Sequence, residues 1–378
     1  MEWHPHARAL ADRVAPPGSR WQTPIADTPR HVFVPAWWKP GGGTWTRLDG
    51  PTDPGGWLAA AYADRTLVTQ VGPLHADHAA PDDQPVGRPT SSSTLPGLVV
   101  QMLRHAAITD ACTVLDVGTG SGYGTAVLCE RLSAAQVTSV DVDAYLTKAA
   151  EERLAEIGHR PRILTSDATG PLPGEYDRIV SMVSVRPIPA SWLAVLPVGG
   201  RLATTITNTT LLITATKTDD GGAVGQVERD RAMFMTTRSG ADYPPRLASL
   251  VDVARTMEGD DVAVGRFPVL DVVEAWEVRT MLELAAPDIE HHHEQDGETR
   301  TAVMVHADGS WARATSTGRG LPIIHQSGPR RLWDLLDEVR DYWLQHGELP
   351  LHAARVHISP DGVITLRRGR WTATIGSP

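Results

Sequence analysis

Two cysteines, Cys112 and Cys129, are all that this chain of 378 residues carries. They are too few to staple a fold of this size and read as small buried hydrophobes in a reducing compartment. Lysine is nearly missing as well: of 35 basic residues only Lys39, Lys148 and Lys217 are lysines, a compositional bias with no functional content. An excess of basic charge is absent, the formal net charge being −10. That argues against nucleic acid as a partner, because binding through phosphates needs a basic face that releases counterions. No stretch approaches the roughly 18 consecutive apolar residues of a membrane span. The amino terminus, Met-Glu-Trp-His-Pro-His, lacks the basic leader and apolar run of a secretory signal, so a cytoplasmic protein with no membrane partner is expected. What is present, 41% apolar and 21% charged residues with a mean hydropathy of −0.20, is the profile of an ordinary globular protein.

The length exceeds the roughly 100–200 residues of a usual domain, so one core with large additions is expected. Tryptophan marks the divisions. Six of the twelve fall within the first 57 residues, five follow residue 275, and only Trp192 lies between. Three parts result: an amino-terminal segment over 1–90, a core over 91–237 and a carboxyl-terminal α+β region over 238–378. Pro73 to Pro89, with four prolines, Asp82 and Asp83, reads as a polar loop. In the core, helical spacing of Leu98, Val99, Met102, Leu103 and Ala106 precedes a strand at Thr113–Val117. Helix and strand then alternate as far as a strand at Arg201–Ile206, implying a doubly wound parallel sheet. Leu211–Thr216 and Val224–Phe234, joined through Asp219-Asp220-Gly221-Gly222, predict an antiparallel hairpin at the sheet edge. The tail predicts hairpins about Asp308-Gly309 and Asp361-Gly362. Between them Leu332, Leu335, Leu336, Val339 and Trp343 form the stripe of an amphipathic helix ending near Gly347.

The strongest chemical signal is Val114-Leu115-Asp116-Val117-Gly118-Thr119-Gly120-Ser121-Gly122-Tyr123-Gly124, a glycine-rich turn between strand and helix. Glycines there let the backbone approach a ligand at the carboxyl edge of the sheet. Asp141 ends the next strand nineteen residues after Gly122, where a carboxylate accepts ribose hydroxyls. The alternating glycines differ from the G-x-G-x-x-G of dinucleotide folds, and Asp116 disfavours a phosphate. It suits a cation such as the α-amino group of S-adenosylmethionine. Asp167, ending the third strand, is a candidate acceptor for the adenine amino group; the alternative for it is an ordinary solvated cap.

The chain resembles the protein-L-isoaspartate O-methyltransferases. Six blocks carry the likeness in order: Arg30-His31-Val32-Phe33-Val34-Pro35, Ala60 through Gly72, Ser92-Ser93-Thr94-Leu95-Pro96, the glycine turn, Tyr176-Asp177-Arg178-Ile179-Val180 and Leu196-Pro197-Val198-Gly199-Gly200-Arg201. They span about residues 1 to 237. The resemblance implies a class I S-adenosylmethionine-dependent methyltransferase fold. It places cofactor contacts at Asp116, Gly118, Gly120, Asp141 and Asp167, with Thr119, Ser121, Gly122, Tyr123, Val142 and Ala168 beside them. Two departures stand out. Where the family runs into a Thr-Ile-Ser-x-Pro loop, this chain has the polar insertion and Ser92-Ser93-Thr94-Leu95-Pro96, and it continues for about 140 residues that the repair enzymes lack. In both it looks like actinobacterial members that methylate an aspartate in a macrocyclic, ribosomally made peptide, the ester then closing to an aspartimide.

Methyl transfer to a carboxylate needs no general base, since the acceptor is ionised at neutral pH. The hydroxyls of Ser91, Ser92, Ser93 and Thr94 are expected to hold that acceptor and Arg88 to pair with it, with the tail recognising the peptide. A solvated polar turn is the plain alternative for any of them. The competing functions are a repair methyltransferase, a catalytically idle peptide-binding module and a methyltransferase for nucleic acids or small molecules. His291-His292-His293 beside Glu290 and Glu294 reads as a solvated segment rather than a metal site, because neighbouring residues on a strand face opposite ways.

Overall fold

The computed structural model describes residues 2–238, 243 and 245–376. Its centre is a ten-stranded sheet. Five strands, in spatial order Arg162–Thr165, Val137–Asp141, Val114–Val117, Arg178–Val185 and Arg201–Ile206, run parallel. All four residues of Val114–Val117 are buried, as befits a parallel strand covered on both faces. The helices that precede and join them start at local signals in the sequence. Pro96 opens Pro96–His105, Gly122 in a left-handed conformation precedes Tyr123–Arg131, and the Asp143 carboxylate accepts from Tyr145 N and Leu146 N to cap Ala144–Glu156. This is the doubly wound parallel sheet that the alternation of elements predicts.

The hairpin Leu211–Lys217 with Ala223–Arg231 forms as expected, antiparallel and next to Arg201–Ile206. It does not end the sheet. Arg355–Ile358 pairs with Ala223–Arg231, and Ile364–Arg368 and Trp371–Ile375 follow it outward. The end of the tail therefore belongs to the ten-stranded sheet, and a boundary at 237/238 does not separate two bodies. The physical reason is the unpaired edge that Ala223–Arg231 would otherwise present.

The rest of the tail builds its own five-stranded antiparallel sheet in the order Asp261–Val264, Ile323–Ser327, Trp311–Thr317, Thr299–Val305, Glu290–Asp296. Helices Trp276–Ala285 and Leu332–His346 join it to the core, the latter ending at Gly347 in a left-handed conformation. One hydrophobic cluster holds Leu115, Ile179, Trp192 and Ile213 of the core together with Leu282, Met304, Trp333 and Leu336 of the tail. The buried ion pair of Arg186 with Glu283 crosses the same junction at 2.5 Å.

The amino-terminal segment forms a separate sheet of Thr44–Asp49, Ala36–Gly41, Leu67–Val71 and Leu74–His75, with Pro89–Ser93 also paired to Leu67–Val71. Its helices share the second large cluster, in which Leu10, Phe33 and Tyr62 meet Val114 and Leu128 of the core. The expected polar loop from Pro73 to Pro89 thus contains a short strand at Leu74–His75 and leads directly into Pro89–Ser93. Among the described residues no helix is long and apolar enough to cross a membrane.

Candidate active site

The glycine turn leaves the carboxyl end of Val114–Val117, pinned by Gly118 N and Thr119 N, which donate to the Val140 carbonyl at 2.9 and 3.3 Å. Gly118 has φ +92°, and a Cβ there would lie 2.9 Å from Val183 Cγ1. Gly120 has φ +50°, and its Cβ would come within 3.3 Å of the Ser92 carbonyl oxygen. No side chain fits at either place without strain. The second contact shows what covers the turn: the strand Pro89–Ser93.

Asp116 lies beneath the turn at 1% exposure. Its Oδ2 accepts from Thr125 Oγ1 at 2.7 Å and Ser139 Oγ at 3.0 Å. Its Oδ1 is buried with no hydrogen-bond partner, and the Tyr123 hydroxyl is in the same position. Burial raises the Asp116 carboxyl to about 6, against the two bonds that favour its ionised form. A cavity of about 30 Å³ adjoins it, lined by Asp116, Ser92, Thr94, Gly118, Thr119, Ser121 and Tyr123.

Ser92, Thr94, Gly118 and Met182 also line a larger cleft of about 220 Å³, so the two spaces meet along these residues. The cleft contains Gly120, Asp141, Val142, Asp167 and Ala168. Asp141 Oδ2 accepts from Gly120 N at 2.9 Å and Oδ1 from Asp143 N at 3.2 Å. Burial raises the pKa of its carboxyl, and these bonds oppose the rise. Asp167 caps its own turn, Oδ1 accepting from Thr169 N at 2.8 Å and from Thr169 Oγ1 at 2.7 Å, while still facing the cleft.

Three expected residues stand elsewhere. Ser93 is buried at 1%, and its Oγ accepts from Arg30 Nε at 3.4 Å. It lies on a strand rather than a loop and lines neither cavity. Arg88 lines a different, polar depression near the tail, its guanidinium 4.5 Å over the Tyr243 ring. Gly122 packs toward Ala150 and Phe33.

Other lining residues went unforeseen. The segment from Met233 to Arg238 and Tyr243 form the outer wall of the cleft. The expected hairpin strand ran on to Phe234, but the strand ends at Arg231 and the chain crosses over the sheet edge. Ser184 N donates to Met235 O at 2.8 Å and Thr237 N to Ser184 O at 3.0 Å. Arg238 pairs with Asp143 at 3.2 Å, beside Asp141. A switch from ladder pairing to a cleft wall leaves no periodic signature.

The residues present suit S-adenosylmethionine. An orphaned buried carboxylate oxygen calls for an ammonium donor, Asp141 stands at the end of the second strand, and the glycine backbone leaves room beside both. A model of the family "Protein-L-isoaspartate(D-aspartate) O-methyltransferase (PCMT)" matches residues 74–241. The protein-L-isoaspartate O-methyltransferase of Gloeobacter violaceus is 33% identical over 181 residues, which are 47% of this chain and 69% of that protein. This chain belongs to the protein-L-isoaspartate O-methyltransferase family. It is accordingly an S-adenosylmethionine-dependent carboxyl O-methyltransferase. The family member of Christiangramia forsetii is 41% identical over 92 residues, 24% of this chain and 42% of that one. A solved structure named protein-L-isoaspartate O-methyltransferase aligns over 99% of this chain and 98% of its own, with 16% identity and a TM-score of 0.48.

Proposed function

We propose that the protein transfers a methyl group to the side-chain carboxylate of an L-isoaspartyl or aspartyl residue in a polypeptide. One observation carries this reading: Ser92 and Thr94 line both the cleft of Asp141 and the inner cavity of Asp116, so hydroxyl donors and the cofactor residues face one space. When bound, S-adenosylmethionine supplies a methyl on a sulfonium and leaves as S-adenosylhomocysteine, its S–CH3 electron pair retained on sulfur. The residues of this chain have a smaller task. An acceptor carboxylate is already ionised, so the hydroxyls of Ser92 and Thr94 orient one oxygen and leave the other to attack. Placing the reacting atoms about 3 Å apart in line supplies up to roughly 7–11 kcal/mol. The wall from Met233 to Arg238 keeps water out, and Asp116 and Asp141 fix the cofactor.

The isoaspartyl acceptor comes first, because it is the one the family's name carries. A second reading, methylation of an aspartate in a ribosomally made, macrocyclic peptide, is favoured by the tail, which lies largely beyond the matched region and lines a polar depression beside the cleft through Arg246 and Arg279. In it, the next backbone nitrogen attacks the ester carbonyl, methanol leaves and a five-membered imide remains. The experiment is mass spectrometry of two synthetic peptides differing only in an aspartyl or isoaspartyl linkage, incubated with the protein and S-adenosylmethionine. A gain of one methyl on the isoaspartyl peptide alone supports repair, and a gain on the aspartyl peptide with later loss of methanol supports imide formation. No ester on either peptide, at a protein concentration that binds S-adenosylhomocysteine, overturns both.

A further inference from the structure

We infer that the polar depression between core and tail is a second carboxylate-binding site, which holds an acidic group of the polypeptide acceptor near the residue being methylated. It rests on the reading that the acceptor is a polypeptide. The depression has a volume of about 340 Å³ and is lined by three arginines, Arg88 of the amino-terminal segment and Arg246 and Arg279 of the tail. Two carboxylates, Asp288 and Glu290, share the lining with the three arginines, each held by a neutral donor. Asp288 Oδ1 accepts from Asn208 Nδ2 at 3.0 Å, and Glu290 Oε1 accepts from Leu247 N at 3.1 Å. Glu283, just below, is committed to Arg186. Arg246 and Arg279 have no side-chain carboxylate within ion-pair distance among the described residues. His291 Nδ1 is buried in the same lining without a hydrogen-bond partner. Burial and the neighbouring Arg279 hold that imidazole neutral, which leaves it able to donate to an anion.

The depression adjoins the cleft. Arg88 lines the first and lies 4.5 Å over the ring of Tyr243, which lines the second. Guanidinium groups are suited to carboxylates through paired N–H donors. An extended peptide whose acceptor residue sits at Ser92 and Thr94 thus reaches the depression with a neighbouring residue or its own terminus. The ligand is therefore a carboxylate, drawn either from an Asp or Glu side chain or from the terminal α-carboxylate.

The test is fluorescence anisotropy with the full-length protein, S-adenosylhomocysteine and a dye-labelled peptide that has one Asp-Gly acceptor, flanking glutamates and a free carboxyl terminus. Two relatives of it have the glutamates changed to glutamine or the terminus amidated, and a third has both changes. The doubly neutral peptide should bind wild type at least about tenfold more weakly than the parent, a loss expected for one charge-assisted pair. Whichever single change reproduces the loss identifies the source of the carboxylate. R246Q/R279Q should bind the parent no better than wild type binds the neutral peptide, and R279K should recover part of the difference. Unaltered S-adenosylhomocysteine affinity shows that the variants are folded. Equal binding of parent and neutral peptides by wild type, or an acidic preference surviving in R246Q/R279Q, overturns the site. Ester formation is scored separately, with S-adenosylmethionine and with the acceptor in both aspartyl and isoaspartyl form: acidic preference with no ester on either sinks the acceptor chemistry and leaves the carboxylate site standing.

Discussion

Arg30 Nε lies 3.4 Å from Ser93 Oγ, both side chains buried, and the remaining N–H groups of Arg30 donate to the carbonyls of Ala61, Ala63, Arg65, Ser93 and Thr94. Three of the sequence blocks that carry the family likeness meet at this one guanidinium. Burial lowers its pKa to about 10, which still leaves it charged at neutral pH. Arg30 thus fixes the backbone from which Ser92 and Thr94 reach the cleft, and Ser93 is part of the anchor.

Ser93 and Thr94 should therefore separate when substituted. Ser93→Ala removes a buried acceptor and should cost about 1 kcal/mol of stability, read from urea melts, with turnover held within about twofold. Thr94→Val should lower turnover while S-adenosylhomocysteine affinity stays near its starting value. Arg30→Met strands several buried carbonyls and should destabilise by at least about 3 kcal/mol. A normal rate for Thr94→Val would remove the hydroxyl from catalysis.

Asp116 gives a pH signature. Its folded carboxyl titrates near 6 against an ordinary 3.8. The folded state therefore holds the proton where the unfolded chain has lost it. The stability this contributes is full below about pH 4 and is lost as pH rises through about 6. The loss amounts to about 3 kcal/mol. Asp116→Asn should flatten that part of the wild-type stability curve. A cation bound at Oδ1 favours the ionised form, so affinity for S-adenosylhomocysteine should fall below about pH 6 by up to tenfold per unit. Urea melts at several pH values read the stability and titration calorimetry the affinity, and an affinity independent of pH would remove Asp116 from the amino-group site.

The sequence made the parallel core legible because short strands rich in apolar residues alternate with helices, and the glycine turn with Asp116 and Asp141 falls where those elements require. The site assembled by distant chain was harder to read. A serine run such as Ser91 to Ser93 has the composition of a loop, yet it pairs with Leu67–Val71 in an antiparallel ladder. Propensity was overridden by the neighbouring strand. Alternation on that strand then turns Ser93 toward Arg30 while Ser92 faces the cleft. Arg88 misled for a related reason, since proximity in sequence to the hydroxyls did not fix which of two depressions its long side chain would reach. The outward strands Arg355–Ile358 and Ile364–Arg368 were visible as a hairpin and Trp371–Ile375 was not, and nothing local says which edge a hairpin will join.

Asp141→Ala should weaken S-adenosylhomocysteine binding at least about tenfold, because charge-assisted hydrogen bonds of roughly 1.5–3 kcal/mol are lost. The carboxylate also accepts from Gly120 N at 2.9 Å. The variant should for that reason show faster amide hydrogen exchange through the glycine turn even without ligand. Unchanged affinity would sink the ribose assignment.

Removing the tail after Thr237 should abolish folding rather than leave a cofactor-binding core. Were the tail an appended recognition unit, the shortened chain would melt cooperatively and bind S-adenosylhomocysteine. The sheet argues otherwise. Arg355–Ile358 pairs with Ala223–Arg231 through the register Ala223↔Ile358 to Gln226↔Arg355, so truncation bares a long antiparallel edge. Val356, Ile358, Ile364, Leu366 and Ile375, each at most 2% exposed, leave the cluster that holds Ile179, Leu202 and Ile213. At roughly 1.5–3 kcal/mol for each buried side chain, their loss alone rivals the roughly 5–15 kcal/mol by which a whole domain is stable. Leu282, Trp333 and Leu336 go with them, as does the partner of Arg186, whose charge would remain half-buried and unpaired. Circular dichroism of the chain ending at Thr237 should show no cooperative melt and expression should be largely insoluble. A soluble, cooperatively melting product would show that the tail only leans on a self-sufficient core.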